Sequence, residues 1–147
     1  MQLTQTPISF EERGKQMARP VILVVDDQPA IQEMLSWVLY LQGYQPVCFT
    51  SGQEALEWIE NTQRIGLRPN AILLDLLMPV MDGARFLTCL RAQWDAPVPL
   101  PPVILLTVDK NNHDHLGCNG VLSKPFHIND LYEILSVCLK KRYQRIG

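Results

Sequence analysis

Side chains able to do chemistry follow several apolar runs of the sequence, at the point where each run ends. They are Asp26, Asp27, Asp75, Thr107 and Lys124. Three carboxylates that meet in one pocket repel one another and stay ionised together only beside a compensating cation. Carboxylate oxygens suit Mg²⁺, and an aspartate beside a metal can attack a phosphoryl group as a nucleophile. The pattern therefore predicts a magnesium-assisted phosphoryl acceptor, provided that the chain folds so that these residues meet.

The apolar runs predict the strands that would bring these residues together. Val21–Val25 is a continuous run of aliphatic, mostly β-branched residues, which is typical of a central strand in a parallel sheet. Between the runs, apolar residues recur at the spacing of amphipathic helices. This alternation predicts an α/β fold with three α/β/α layers around a five-stranded parallel sheet. The ends of parallel strands lie at one edge of the sheet, where ligands bind.

One connection departs from the alternation. Residues 108–120, between the fourth and fifth predicted strands, are mostly polar and contain few apolar positions. Such a stretch does not predict a full helix, so we expect a single turn or an irregular loop, with the fourth helix shortened or missing. Asp82, which precedes a helical pattern, is expected to cap that helix rather than to bind a metal.

Length and composition exclude several classes of protein. The 147 residues suit one domain, and the hydrophobic content of 47% is sufficient for a substantial core. The net charge of −2 argues against nucleic-acid binding through bulk electrostatics. The sequence shows neither an apolar run long enough for a membrane helix nor a secretory signal. We therefore expect a cytoplasmic protein whose partners are neither nucleic acids nor membranes.

The ordered motifs resemble the receiver domain of two-component response regulators. Asp26-Asp27 resembles the acidic pair of that family, and residues 75–83, DLLMPVMDG, resemble its phosphoacceptor strand and the following turn. Thr107 matches the hydroxyl after the fourth strand, and residues 124–126, KPF, match the lysine and proline of the family pattern. Each motif is weak by itself, but their combination in this order is specific.

The resemblance implies a doubly wound, flavodoxin-like fold and a set of boundaries. The receiver domain would span residues 20–142, with an N-terminal tail at 1–19 and a C-terminal tail at 143–147. The tails are too short to form an output domain. The expectation is therefore a single-domain response regulator that signals by contact with a downstream protein of unknown identity.

The resemblance also implies a role for each site residue. Asp75 would receive a phosphoryl group from a histidine kinase or a histidine phosphotransfer protein. Asp27 and Asp75 would contact Mg²⁺ directly, together with the backbone carbonyl of Leu77, and Asp26 would contribute mostly through water. Lys124 would pair with the acceptor and later with the phosphoryl group.

The switch residues are only partly typical of the family. Thr107 would move to bond a phosphoryl oxygen, and the Lys124–Pro125 peptide bond would be cis. The family usually has an aromatic switch residue three positions before the lysine, where this chain has Val121, and a small residue after the hydroxyl, where this chain has Val108. We therefore expect the readout surface to differ from that of a standard receiver.

Three functions remain open at this stage. The first is the phosphorylated signalling switch, which would catalyse only its own phosphoryl transfer and loss and so is not an enzyme in the usual sense. The second is a receiver-fold interaction module that is no longer phosphorylated, which Val108 and the short segment 108–120 favour. The third is an aspartate-nucleophile phosphatase, which is disfavoured because it would need an aspartate where the chain has Leu77.

Overall fold

The structure, a computed structural model, describes residues 19–95 and 97–146, and only the backbone of residues 140–146. The predicted N-terminal tail therefore lies outside the described residues, except for Arg19. The Arg19 guanidinium stacks over the Tyr40 ring, 4.4 Å from its centroid. It also donates hydrogen bonds to the carbonyl oxygens of Tyr40 and Tyr44. Arg19 thus packs against the folded domain, although we predicted it as the last residue of the tail.

Strands and helices alternate along the described chain, as the apolar pattern predicts. The strands are β1 (Val21–Val25), β2 (Gln45–Phe49), β3 (Ala71–Asp75), β4 (Val103–Thr107) and β5 (Gly120–Ser123). The helices are α1 (Pro29–Leu41), α2 (Gly52–Gln63), α3 (Gly83–Gln93) and α4 (Ile128–Ile146). A short 3₁₀ turn, Asp114–Leu116, lies between β4 and β5.

The strands form one parallel sheet in the order β2-β1-β3-β4-β5. This order confirms the predicted doubly wound fold. The chain moves outward from β1 to β2, and then returns to the other side of β1 to build β3, β4 and β5. In such sheets a crevice opens beyond the carboxyl ends of the strands where the winding reverses. Here the reversal lies between β1 and β3, the strands that precede Asp26 and end in Asp75.

Side chains of the central strands alternate between two hydrophobic cores, one on each face of the sheet. All residues of β3 and β4 are buried, because helices cover both of their faces. Helices α2 and α3 pack on the face that includes Leu23, Leu74 and Leu105. Helices α1 and α4 pack on the other, which includes Val24 and Leu73. The arrangement confirms the predicted three layers.

The β4–β5 connection contains a single turn instead of a helix, as predicted. Leu116, at the end of that turn, is buried in the core beneath α2 and α3. Arg91 of α3 donates a hydrogen bond to the Leu116 carbonyl, and Gly117 ends the turn with a φ of +69°. One leucine therefore occupies part of the space that a helix would cover, and Val121 on β5 is left 47% exposed.

The last helix is longer than expected. Helix α4 continues to Ile146, although we predicted that the domain ends at residue 142 and that a C-terminal tail begins at residue 143. Residues 140–146 contain neither glycine nor proline, and several are good helix formers, so the sequence does not stop the helix before Gly147. In the part of the chain that the structure describes, no helix is both long and apolar enough to cross a membrane.

Candidate functional site

The carboxyl ends of β1 and β3 place three aspartates side by side. Because Val25 lies opposite Leu74 in the parallel register, the next residues along the two strands are neighbours. One carboxylate oxygen each from Asp26, Asp27 and Asp75 can be chosen so that all lie within 4.8 Å of one another. Asp26 is fully buried, Asp75 is 4% exposed and Asp27 is half-buried. The predicted acidic cluster is therefore present in the structure.

Lys124 brings a positive charge to this cluster from the end of β5. Its Nζ lies 2.7 Å from Oδ2 of Asp26 and 3.6 Å from Oδ2 of Asp75. The nearer partner is thus Asp26, whereas the resemblance implied pairing with Asp75. The backbone amide of Lys124 donates to the Thr107 carbonyl at 2.8 Å, which fixes the strand end. The Lys124–Pro125 peptide bond is cis.

Backbone amides hold the second oxygen of both buried carboxylates. The amide of Leu77 donates to Oδ1 of Asp75 at 3.2 Å, and the amide of Gln28 donates to Oδ1 of Asp26 at 2.9 Å. In each carboxylate, one oxygen is therefore held by the loop that follows its strand and the other faces the Lys124 ammonium. The local chain and the ammonium together set the orientation of both carboxylates.

The surroundings of Asp75 make its carboxyl group harder to ionise in the metal-free protein than in an exposed aspartate. Burial, and then the nearby Asp26 charge, raise the pKa of Asp75 to about 6 from a usual value of 3.8. The Lys124 ammonium and the Leu77 amide act in the opposite direction. Burial and the Asp26 charge therefore outweigh the Lys124 ammonium and the Leu77 amide in setting the pKa of Asp75.

The donor set fits a small divalent cation. Three ionised carboxylates exceed one ammonium by two negative charges, which matches the charge of Mg²⁺. All the side-chain donors are hard oxygen atoms, the ligand type that Mg²⁺ prefers, and their spacing of within 4.8 Å allows a shared ion. Leu77, expected to add its carbonyl, lies two residues after the end of β3 and has an exposed side chain.

The switch residues lie towards β4 and β5. Thr107 is fully buried, and its hydroxyl accepts a hydrogen bond from the Asp109 amide at 3.0 Å. Val121 lies in β5 opposite Leu105, on the wall of a cavity of about 490 Å³ that residues 109–114 also line. The structure thus brings the carboxylates and Lys124 together, while Val121 lines the cavity beside the β4–β5 connection.

The β3–α3 loop has a tight geometry that sequence reasoning missed. The Met81 amide donates to the Pro79 carbonyl at 2.7 Å, which closes a three-residue turn around Val80. Val80 has a φ of +67°, unusual for a β-branched residue, and is fully exposed. The sequence offered no signal for this, because a valine in such a loop is ordinarily expected to be extended.

The start of α3 packs directly against the acceptor strand. A Cβ atom on Gly83 would lie 2.9 Å from the Asp75 carbonyl oxygen and 2.9 Å from the Leu76 Cα. The Gly83 amide donates to the Leu76 carbonyl at 2.9 Å, and Asp82 caps the helix by accepting from the Arg85 amide. The predicted capping role of Asp82 is confirmed, and the adjacent Asp-Gly pair was the available signal for this close approach.

Comparisons with known proteins give one family and several relatives of this chain. Residues 22–136 match the family described as response regulator receiver domain. The chain is 34% identical over 113 residues to the DNA-binding response regulator MtrA of Mycolicibacterium smegmatis, a match that covers 77% of this chain and 47% of MtrA. The chain thus spans about half the length of the curated relatives that it matches.

Solved structures share the fold. The chemotaxis protein CheY4 of Vibrio cholerae has a TM-score of 0.69 at 29% identity, over 83% of this chain and all of that one. The receiver domain of sensor histidine kinase PA1611 from Pseudomonas aeruginosa PAO1, solved with a magnesium ion coordinated in its active-site cleft, has a TM-score of 0.71 at 30% identity. That match covers 84% of this chain and 99% of the other.

Proposed function

Because the chain belongs to the response regulator receiver domain family, we propose that it accepts a phosphoryl group on Asp75 in a Mg²⁺-dependent reaction. The observation that carries the proposal is the cluster of Asp26, Asp27 and Asp75 with the Lys124 ammonium 3.6 Å from the acceptor carboxylate. The cluster has a nucleophile, an excess of negative charge for a cation, and a fixed positive charge.

Asp75 is suited to act as the nucleophile. Above its pKa of about 6 the carboxylate is ionised and can attack phosphorus. An oxygen–phosphorus bond to Asp75 forms as the phosphorus–nitrogen bond of a phosphohistidine breaks, and the electron pair leaves with the histidine ring. Lys124 would offset the negative charge that the transferring group brings into the pocket. The donor in this proposal is a histidine kinase or a histidine phosphotransfer protein.

The three aspartates and the Leu77 carbonyl are the groups that would hold Mg²⁺. When bound, the ion supplies positive charge that lowers the repulsion between the acceptor and the incoming phosphoryl group. The magnesium in the cleft of the PA1611 receiver supports this assignment. Asp26 already has a partner in Lys124, so its part in holding the ion would be secondary to that of Asp27 and Asp75.

Thr107 would couple the site to the β4–β5 connection. Its hydroxyl accepts a hydrogen bond from the Asp109 amide through a lone pair, and its own hydrogen could be donated to a phosphoryl oxygen on Asp75. Movement of the Thr107 hydroxyl towards the phosphoryl group would pull on the Asp109 amide and so alter the following loop. The signal would leave as a change of protein–protein contact, without turnover of an external substrate. The expected cytoplasmic location belongs to the same proposal.

A second candidate is an interaction module that is no longer phosphorylated. The observation in its favour is the low exposure of Asp75, 4%, which leaves a narrow approach to the acceptor. Val108 does not strengthen that case, because its side chain is 59% exposed. The phosphatase alternative gains no support, since Leu77 offers no acid two residues after the nucleophile.

Incubation with acetyl phosphate and MgCl₂, followed by intact mass spectrometry, tests the proposal. We expect the wild type to gain the mass of one phosphoryl group, and to lose this gain when EDTA replaces MgCl₂. Asp75→Asn should gain no mass, whereas Asp114→Asn, which alters an exposed aspartate outside the cluster, should behave as wild type. Labelling that persists in Asp75→Asn, or no labelling of the wild type, would overturn the proposal in favour of the interaction module.

A further inference from the structure

The second half of helix α1 carries an exposed apolar face. Trp37, Tyr40 and Leu41 are 64%, 49% and 72% exposed, and their spacing of three and four positions puts them on one side of the helix. We call these three residues the α1 apolar face. Residues 34–41 contain no charged side chain. A contiguous apolar surface of this kind on a small domain marks a place where another segment or molecule binds.

Arg19 fixes the beginning of the described chain against this face. Its guanidinium lies 4.4 Å from the centroid of the Tyr40 ring and donates to the carbonyl oxygens of Tyr40 and Tyr44, each at 3.2 Å. The Gln45 amide donates to the Pro20 carbonyl at 2.8 Å, which holds the next residue as well. The residues immediately before Arg19 therefore start beside the α1 apolar face, tethered to it at an effective concentration on the order of millimolar.

The sequence before Arg19 contains apolar residues that suit this face. Phe10 and Met17 are seven positions apart, a spacing that puts two residues on one side of a helix, and charged residues lie between them. Met17 is two residues before Arg19, so the chain between them spans at most about 7 Å. That distance is close to the rise of about 6 Å that separates Trp37 from Leu41 along α1. Phe10 reaches the far end of the face even in a helix, which would advance about 13 Å from Arg19.

The tether decides between the possible occupants of the α1 apolar face. A second copy of this chain, or another protein, would have to compete with a segment that is already attached beside the face. Tethering favours the attached segment over a free molecule at any concentration below the effective one. We propose that residues 10–17 of this chain pack on the α1 apolar face, with Met17 against Leu41 and Phe10 towards Trp37. This contact does not depend on the proposed phosphoryl transfer.

Tryptic cleavage within the segment tests the inference. Arg13 and Lys15 are the trypsin sites in residues 10–17, and Arg19 is followed by Pro20, a bond that trypsin does not cut. A docked segment must open before it is cleaved, so the cleavage rate follows the open fraction. In Leu41→Ser we expect this rate to be about tenfold higher than in the wild type, the change in an equilibrium constant that loss of one buried leucine contact typically produces. Mass spectrometry of the native protein during digestion measures the rate.

Further variants make the test specific. Phe10→Ser should also accelerate cleavage, and the double variant Phe10→Ser/Leu41→Ser should show less than the product of the two single effects, because both changes break one contact. Val108→Ser removes an aliphatic side chain that is 59% exposed at the carboxyl edge of the sheet, whereas α1 ends at the amino edge. Val108→Ser should leave the cleavage rate unchanged. All proteins are compared well below their melting temperatures, so that cleavage is measured on the folded domain.

The outcomes distinguish the occupants. Equal cleavage rates in the wild type, Leu41→Ser and Phe10→Ser would overturn the inference, since the segment would then be open in all three. Acceleration in only one of these two variants would overturn the pairing of the segment with the face. Cleavage of the wild type that slows as the protein concentration rises would show that a second copy provides the protection, and would overturn the inference too. Acetyl phosphate labelling of Asp75 tests the proposed function separately and changes none of these outcomes.

Discussion

The two connections that follow neighbouring strands β3 and β4 are built in opposite ways. The β3–α3 connection is held by backbone-to-backbone contacts. The Gly83 amide bonds to the Leu76 carbonyl, the Met81 amide bonds to the Pro79 carbonyl, and no space remains for a Cβ atom on Gly83. A shift of this loop would displace the backbone of the acceptor strand itself.

The first part of the β4–β5 connection, residues 108–114, is held by short bonds from amides to nearby side chains. The Asp109 amide bonds to the Thr107 hydroxyl, the Asn111 amide to the Asp109 carboxylate, and the Asp114 amide to the Asn112 side chain. Such local bonds rearrange independently of the sheet. The acceptor is therefore positioned by a rigid connection, while the loop that follows the Thr107 hydroxyl can change without displacing Asp75.

Gly83→Ala should give the largest effect, because the new Cβ would meet backbone atoms of Asp75 and Leu76 that cannot move aside. We expect a loss of about 3 kcal/mol in the free energy of unfolding. Thermal denaturation of the purified variant measures this loss.

Gly117→Ala is the matched change in the β4–β5 connection. There the nearest atom to a new Cβ is the end of the Arg91 side chain at 3.4 Å, so the cost is mainly the φ of +69°, about 1 kcal/mol. Equal destabilisation by the two variants would contradict the contrast between a rigid and an adaptable connection.

The pH dependence of stability should show that the ionised carboxylate of Asp75 destabilises the folded state. Its pKa is about 6 in the folded metal-free protein and 3.8 in the reference state, so the folded state binds the proton more tightly. This stabilisation is complete below pH ~4 and is lost as the pH rises through about 6. Asp75→Asn removes the charge, so its melting temperature in EDTA should exceed that of the wild type at pH 7.5.

The gain from Asp75→Asn at pH 7.5 should be on the order of 1–3 kcal/mol, and it should shrink towards pH 4. Asp114→Asn, in the β4–β5 connection, is the control and should track the wild type at every pH. If the melting temperatures of Asp75→Asn and the wild type differ by the same amount at every pH, the charge of Asp75 is not what destabilises the folded state.

Val80→Asn should produce the smallest effect, and it should stabilise the protein, whereas the two glycine substitutions destabilise it. Asparagine tolerates positive φ better than a β-branched residue does, so relief of strain should add about 0.5–1 kcal/mol to the free energy of unfolding. Val80→Thr retains the β-branch and should leave chemical denaturation unchanged. Stabilisation by both variants alike would mean that exposure, rather than backbone strain, is what costs the loop stability.

The fold and the site carboxylates could be predicted because they depend on patterns that have few alternatives. A parallel strand covered by helices on both faces must be apolar on both faces, which makes β1, β3 and β4 visible as continuous runs. The polar residues that end such runs must then meet at one edge. Asp26, Asp27 and Asp75 follow directly from this rule.

Other features depend on single contacts that leave no periodic signal. Leu116 is an isolated apolar residue in a polar stretch, and only the structure shows that it fills the core under α2 and α3. The choice of Asp26 as the nearer partner of Lys124 depends on distances across several strands. The φ of Val80 is imposed by the turn around it and not by the valine itself.

The ion pair between Lys124 and Asp26 joins residues that are 98 positions apart in the chain. Asp26 follows the first strand, and Lys124 follows the last strand to be synthesised. A growing polypeptide on the ribosome therefore lacks the counter-charge of Asp26 until Lys124 has been synthesised. Burial of an unpaired carboxylate is costly, so the pocket should close only when translation has passed β5. The acceptor site is therefore complete only when nearly the whole domain has folded.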